Sequence, residues 1–376
     1  MTVEIEQGPR AVRVAGLAVG DGPVAVLGGL AGASRLDGPL AARPDARWIR
    51  LPARPGRAPA AMAIARLRTE WDGPLFAEPG TCADLAALAG LADGLAVAVT
   101  DACQECGASL ARQAVGRELP ILLRRGTAGL DEWLAQAARH AAGDDGRVIL
   151  CEGADRPAPP GPAAADGAPH NGPHNGHRDG HRDGRRDADG EGRAAPASPV
   201  LDLALLRAAR ERSGLPVVAY LGHDAGLAPA AIAAGADGLL LAPAASTRTV
   251  ARAREAATVV APLVRAERPA TIPDAREAID RVDAALATLL ERRAELAGTV
   301  QRLKPVGGFA GRDMDRERRL VAAMARRAPR LGAARLAPIM NAVIEAGLHL
   351  AEEDGLAGAR VPAQAAHPER PGQGTS

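Results

Sequence analysis

Hydrophobic positions along the chain change their period twice. Over the first 265 residues, short apolar, β-rich runs recur at 23–27 (PVAVL), 47–51 (RWIRL), 74–77 (PLFA) and 94–99 (GLAVAV). Four more follow at 120–123 (PILL), 147–151 (RVILC), 216–220 (PVVAY) and 237–241 (DGLLL). Ala/Leu-rich stretches of helical period lie between them, as at 83–92, 131–141, 202–212 and 228–235. Strand alternating with helix predicts a parallel sheet, because each parallel return needs a crossover. Eight such units in this length fit a TIM-type (β/α)8 barrel better than an open sheet. Residues 2–17 predict a small extra β element ahead of the first barrel strand.

From 272 to 304 the apolar positions follow one line: Ile272, Ile279, Val282, Leu286, Leu289, Leu296, Val300 and Leu303. Spacings of three and four predict a long helix with a narrow buried seam. Arg276 and Arg293 interrupt the seam where apolar residues are expected, and Lys304 lies one turn beyond Val300. A charge on a buried seam is costly unless something pairs it. Three cations on one face, with no acid beside them there, point to an anionic ligand. The competing reading has them snorkel to the surface of a helical bundle. Arg276 and Lys304 lie ~42 Å apart along a helix, too far for one small molecule, whereas Arg293 and Lys304 are separated by ~16 Å. Arg276 joins the other two only from a second, antiparallel copy of the helix, with a two-fold axis near Leu286–Leu289. The spacing therefore predicts a homodimer with two composite sites.

A Gly-Gly turn at 307–308 follows. Asp313 is placed to cap the next helix, with Arg316 and Glu317 in its first turn. A third helix is predicted over about 333–352. Residues 153–198 break every pattern: Pro, Gly, Ala, Asp and Arg with near-repeats PHNG and HRDG have almost nothing to bury. They are expected to form a disordered insertion after the sixth strand. Its histidines, His170, His174, His177 and His181, are read as part of that solvated insertion. The Pro/Gly/Ala-rich segment 354–376 is expected to be a disordered tail. The organisation expected is thus a barrel over 1–265, a small all-α three-helix domain over 266–353 that dimerises, and the tail.

Composition narrows the partners. Net charge is +1 and aromatics make up 2% of the chain, which leaves neither a basic footprint nor stacking platforms for nucleic acid. No transmembrane-length segment or signal-peptide core occurs, so a soluble, cytoplasmic protein is expected. Cys82, Cys103, Cys106 and Cys151 are too few for a disulfide scaffold, and Cys103-x-x-Cys106 lacks a second ligand pair for zinc. Of 46 cationic Lys and Arg residues, Lys304 is the single lysine, leaving 45 arginines. Lys is a compact point charge where Arg is a planar fork, so one retained ammonium fits a task of aiming one donor at one atom.

The order DAREAIDRVDAALATLLERRAELAGTVQRLK, RDMDRERRL, IMNAVIEAG closely resembles the all-helical chorismate mutases over roughly 272–353. The resemblance implies conversion of chorismate to prephenate in aromatic amino-acid biosynthesis, with no metal or other cofactor. It implies that Arg293 and Arg316 bind substrate within one chain while Arg276 comes from the partner subunit. Lys304 would face the ether oxygen, Glu317 would take the ring hydroxyl, and Asp313 would support the site. One departure stands out: the family's glutamine on the third helix is Ala351, and Glu352, next to it about 100° round the helix, is the substrate-binding candidate that a small register shift would turn into the missing donor. A small polar residue of the pattern is likewise Gly347.

Residues 117–137, 147–153 and 215–241 resemble DAHP synthase, the aldolase-type first enzyme of the shikimate pathway. That family holds a divalent metal with Cys, His, Glu and Asp. Here Gly28-Gly29-Leu30 replaces the cysteine segment, His223 remains, Ala242 replaces the glutamate, and 243–256 contains no Asp. The family's Lys-Pro-Arg segment reads Arg54-Pro55-Gly56-Arg57, and its second lysine is Arg124. The resemblance implies a degenerate, inactive barrel, with Arg50, Glu78, Arg124, Arg125 and Glu152 at its C-terminal face. The expected function is a chorismate mutase with an accessory barrel that docks or regulates, a partner shikimate-pathway enzyme being the candidate it would dock to. The alternatives are a bifunctional DAHP synthase/chorismate mutase and a non-catalytic chorismate-binding regulator.

Overall fold

A computed structural model describes residues 11–28, 43–51, 60–79, 84, 95–100, 111–112, 114, 119–141, 147–155, 199–265, 267, 269–304 and 309–359. Eight parallel strands make one sheet: β3 (Ala25–Leu27), β4 (Arg47–Arg50), β5 (Leu75–Glu78), β6 (Leu95–Thr100), β7 (Ile121–Arg124), β8 (Val148–Glu152), β11 (Val217–Gly222) and β12 (Gly238–Leu241). Their order runs β3-β12-β11-β8-β7-β6-β5-β4. The two ends meet at a parallel bridge between Leu27 and Ala46, with Gly28 N donating to Ala46 O at 3.0 Å and Asp45 N to Val26 O at 2.7 Å. The sheet is therefore the expected (β/α)8 barrel. Every strand lies within two residues of its predicted span.

Strand alternation separates two cores. Inside the barrel, Leu27, Trp48, Phe76, Leu122, Ile149, Cys151, Val218, Tyr220 and Leu240 pack together. Between strands and helices lies a second cluster that includes Leu123, Leu150, Ala219 and Leu239. The helices facing it are α2 (Leu130–Ala141), α3 (Leu203–Ser213), α4 (Ala228–Ala233) and α5 (Thr247–Val264); α1 (Ala60–Arg68) covers Ile49 and Leu75 with Ile64. The extra β element is a hairpin of β1 (Val12–Val14) and β2 (Leu17–Val19), whose Val12, Val14 and Val19 join the inner cluster. Buried Asp237 accepts two bonds from Arg210 (3.0 and 2.9 Å), one from Arg265 (2.7 Å) and one from Val217 N (3.0 Å). It thereby ties α3 and the end of α5 to the sheet.

Apart from residue 84, which is helical, the predicted helix at 83–92 lies outside the described residues, as does the bulk of the insertion. Either side of 156–198, however, β9 (Ala154–Asp155) pairs antiparallel with β10 (Pro199–Val200), so the edges of the insertion are a ladder the sequence did not announce.

Three helices follow the barrel: α6 (Ile272–Leu303), α7 (Met314–Arg327) and α8 (Gly332–Ala359). The last extends beyond its expected end at about 352, and 360–376 lie outside the described residues. The chain divides into two compact units, 1–281 and 282–376, so the first ten residues of α6 belong with the barrel. Among the described residues no helix is long and apolar enough to cross a membrane. The seam of α6 differs from expectation in one respect. It is predicted to be buried, yet Ile279, Leu286, Leu296 and Leu303 are 58%, 51%, 53% and 80% exposed, and Ala285 is the buried residue of the helix. Among the described residues of the chain, none covers these side chains.

Candidate active site

The helical unit gathers several charged groups where α6, α7 and α8 meet. Arg293 is half-buried on α6 and donates from Nη1 to the carbonyl of Val343 on α8 at 3.3 Å. Gly347 lies beside that contact: a Cβ there would stand 3.8 Å from Arg293 Nη1 and 3.6 Å from Ala297 Cβ, both ordinary contacts. Burial pushes the Arg293 guanidinium down from its usual range, neighbouring Arg316 pushes the same way, and Glu317 opposes them. Two arginines on facing helices thus repel each other beside one acid. Such a cluster favours a bound anion.

Asp313 caps α7 as expected, its carboxylate accepting from Arg316 N at 2.9 Å, and the cap holds that carboxyl below the usual range. Capping orients the first turn of α7, which carries both Arg316 and Glu317. Lys304, just past α6, donates from Nζ to Gly311 O at 2.8 Å. That bond uses one of the three N–H groups of the ammonium and holds its stem toward the residues that lead into α7.

Three residues of the cluster escape sequence reasoning. Arg312 donates to both oxygens of Glu317, at 3.0 Å from Nε and 2.7 Å from Nη2. It also reaches Glu345 (3.3 Å) and Asn341 (2.8 Å) on α8, and Asn341 donates to Glu345 at 2.9 Å. Arg312 is thus the knot between α7 and α8, and it holds the Glu317 carboxyl well below the ordinary glutamate range. The detectable signal is an Asn/Glu pair at i, i+4 on an otherwise apolar helix.

The structure therefore sets Arg293, Arg316 and Glu317 in one electrostatic cluster, with Asp313 capping the turn that carries the last two and Lys304 bonded to Gly311 just before that cap. Arg276 is not among them: it is exposed on the first turns of α6, ~26 Å from Arg293 along the helix axis. Ala351 lies one turn beyond Gly347 on α8 and so shares its face, while Glu352 is turned about 100° away and exposed.

The C-terminal mouth of the barrel holds a separate set of charges. Arg124, 4% exposed, lies with its guanidinium over Tyr220 (4.7 Å) and Trp48 (5.7 Å), and 3.7 Å from Glu78. Arg50 binds the same Glu78 at 2.9 Å. Arg125 grips the fully buried Glu152 at 2.5 and 3.0 Å, and Asp202 N adds a third bond at 3.3 Å. Burial drives the Cys151 thiol up to about 12, with Arg124 opposing. His223 is exposed past β11, and buried Ala242, past β12, offers no donor. Among the described residues no three His, Cys, Asp or Glu side chains converge as metal ligands.

A family model, chorismate mutase type II, matches residues 275–352. That segment is a chorismate mutase domain. It runs from the second turn of α6 through α8 and contains every residue of the helical cluster, so an isomerase domain is present in the chain. Nothing among curated protein sequences matches the chain. Solved structures similar to it include DAHP synthase from Thermotoga maritima, at 17% identity over 67% of this chain and 74% of that one, with a TM-score of 0.46. Dihydropteroate synthase from Yersinia pestis is 14% identical over 67% of this chain and 98% of that one, with a TM-score of 0.42. Thiamine phosphate pyrophosphorylase from Pyrococcus furiosus is 16% identical over 63% and 96%, with a TM-score of 0.37.

Proposed function

We propose that the mutase domain converts chorismate to prephenate in a homodimer. The observation that supports this most directly is the pair Arg293 and Arg316 on facing helices beside a fixed Glu317, in a segment of mutase sequence. Chorismate carries two carboxylates, an ether oxygen and a ring hydroxyl. Arg293 and Arg316 take the carboxylates, assisted by Arg276 of the other subunit. Lys304 faces the ether oxygen, and Glu317 accepts the ring hydroxyl.

The rearrangement is intramolecular: the ether C–O bond breaks as a new C–C bond forms, and no group leaves the molecule. Catalysis then has two parts. The arginines hold the enolpyruvyl chain folded over the ring, which removes the entropy of reaching that geometry. The Lys304 ammonium stabilises negative charge that grows on the ether oxygen as its bond breaks. Because the stabilised charge exists only in the transition state, the lysine acts on kcat.

Exposure of the α6 seam supports the dimer. A row of aliphatic side chains 40–80% exposed along one helix is the surface a second copy would cover. In that arrangement the barrel is an accessory domain without synthase activity, in a cytoplasmic protein. The pairing of Arg50, Arg124 and Arg125 with Glu78 and Glu152, and the absence of a fitting ligand set among the described residues, support the reading.

Full-length protein is assayed for loss of chorismate absorbance, with Lys304→Ala beside it. Turnover without added cofactor that collapses in the variant is the expected result. No turnover in either would leave a chorismate-binding regulator, which Ala351 favours as the second reading. Binding of Mn²⁺ to the barrel would revive the bifunctional one.

A further inference from the structure

In the composite site proposed above, Arg276 acts away from its own chain, so something must hold the helix turns that present it. Helix ends fray, and Arg276 stands only five positions into α6. Two local devices meet there. Thr271 and Asp274 form a reciprocal cap: Thr271 N donates to Asp274 Oδ2 at 3.1 Å, and Asp274 N to Thr271 Oγ1 at 3.3 Å. Two turns further on, Arg281 reaches back to Glu267 with both arms of its guanidinium, Nε to Oε1 at 2.9 Å and Nη2 to Oε2 at 2.6 Å.

That second contact closes the segment from 267 to 281 into a loop whose rigid side is the start of α6. Both partners are largely covered, at 23% and 28% exposed, and the geometry is bidentate, the form in which an ion pair carries orientation as well as charge. Glu267 also lies within the field of Arg265, whose guanidinium binds buried Asp237 of the barrel at 2.7 Å. Two ion pairs, Asp237 with Arg265 and Glu267 with Arg281, therefore follow one another where the chain leaves the barrel for α6.

We infer that Arg281 and Glu267 are positioning residues for Arg276, so that the barrel's own ion network fixes the arginine that completes the other subunit's mutase site. The inference rests on the composite-site reading and gives the barrel a mechanical part in mutase activity. It makes a distinctive claim: damage at Arg281 shows itself in the neighbouring subunit's site and spares the site built from the damaged chain's own Arg293 and Lys304.

Mixed dimers of full-length protein test it. Arg281→Ala homodimers are expected to raise the KM for chorismate about tenfold, the scale of one misplaced charge-assisted hydrogen bond, with a smaller change in kcat. Arg281→Lys should recover part of the loss, and Glu267→Gln should reproduce it if Arg281→Ala dimerises poorly. Refolding Arg281→Ala chains together with Arg293→Ala chains creates dimers in which one site has intact in-chain cations and an Arg276 held by an intact brace. Those sites should return to the wild-type KM. The same mixing of Arg276→Ala with Arg293→Ala is the control. If the control pair does not complement, the composite site itself is wrong. If the control complements while the Arg281→Ala mixture keeps its raised KM, or if the Arg281→Ala and Glu267→Gln homodimers have the wild-type KM, the brace is overturned.

Discussion

Arg312 grips both carboxylate oxygens of Glu317, five positions along the chain, while its remaining reach joins α7 to Asn341 and Glu345 of α8. The pair keeps Glu317 charged and fixed in direction, and its pH dependence has a definite sign. Glu317 has a depressed carboxyl, with Arg312 as the largest cause, so its contribution to stability is full above the ordinary glutamate range and is lost as pH falls through the depressed value. Asp313 and Arg293 also act on it, one raising and one lowering the carboxyl. Thermal unfolding followed from neutral to acid pH should show the helical domain of Arg312→Met already weakened at neutrality, with a shallower further loss toward acid than the wild type.

Lys304→Ala should lower kcat by about 10²–10³-fold, the usual cost of removing one donor aimed at developing charge. Folding should survive, since the side chain makes one bond, to Gly311 O. Lys304→Arg separates charge from shape: a planar fork in place of a compact ammonium should bind chorismate with a near-normal KM yet recover little of kcat. Steady-state kinetics on the two variants checks both statements, and equal kcat for Lys304→Arg and wild type would contradict them.

Much of this was legible in the sequence because the same periodicities that label an element also bury it. The eight barrel strands carry runs such as RVILC at 147–151 and PVVAY at 216–220, buried on both faces. The seam of α6 likewise announced a long helix, and Asp313 announced the start of α7. Pairing was not legible where it depends on residues far apart. The closure of the barrel rests on Leu27 meeting Ala46, and the insertion is edged by Ala154–Asp155 against Pro199–Val200; neither has a local signature. Arg312 escaped for a related reason, since it looks like one more arginine in RDMDRERR until α8 is packed beside it. The seam was expected to be buried, and its exposure in one chain shows that periodicity marks a surface that needs covering without saying what covers it.

Cys151 should be chemically silent in the folded protein. It is fully buried on β8 inside the barrel, and burial pushes its thiol up to about 12, far from the thiolate that alkylating reagents need. Iodoacetamide labelling read by peptide mass spectrometry should leave the peptide containing Cys151 unmodified at pH 8 and label it fully in denaturant. Labelling under native conditions would mean that the barrel opens on the timescale of the reaction.

Gly347→Ala should stabilise the helical domain by about 0.5–1 kcal/mol, because glycine inside a helix costs that much relative to alanine. The new methyl would meet Ala297 Cβ at 3.6 Å and Arg293 Nη1 at 3.8 Å, both ordinary contacts, so no strain offsets the gain. Urea unfolding is the measurement, and a lower midpoint at unchanged slope would show that Arg293 needs the space.

The last expected outcome concerns the residue that fits the mutase pattern least. Ala351 lies one turn from Gly347 on the face of α8 that meets Arg293, and a methyl group there supplies no hydrogen-bond donor. Gln at 351 would add an amide N–H near the ether oxygen, beside the Lys304 ammonium. A second donor aimed at charge that develops in the transition state should raise kcat/KM by about tenfold or more. Glu352→Gln offers the contrast. It introduces the same amide about 100° round the helix, so it helps only if α8 rotates or slides enough to turn that position inward. A gain in Ala351→Gln alone places the deficit at 351 and the substrate against the Gly347 face. A gain in Glu352→Gln alone would mean that α8 binds substrate in a shifted register. No gain in either would show that Lys304 already supplies the stabilisation the ether oxygen requires.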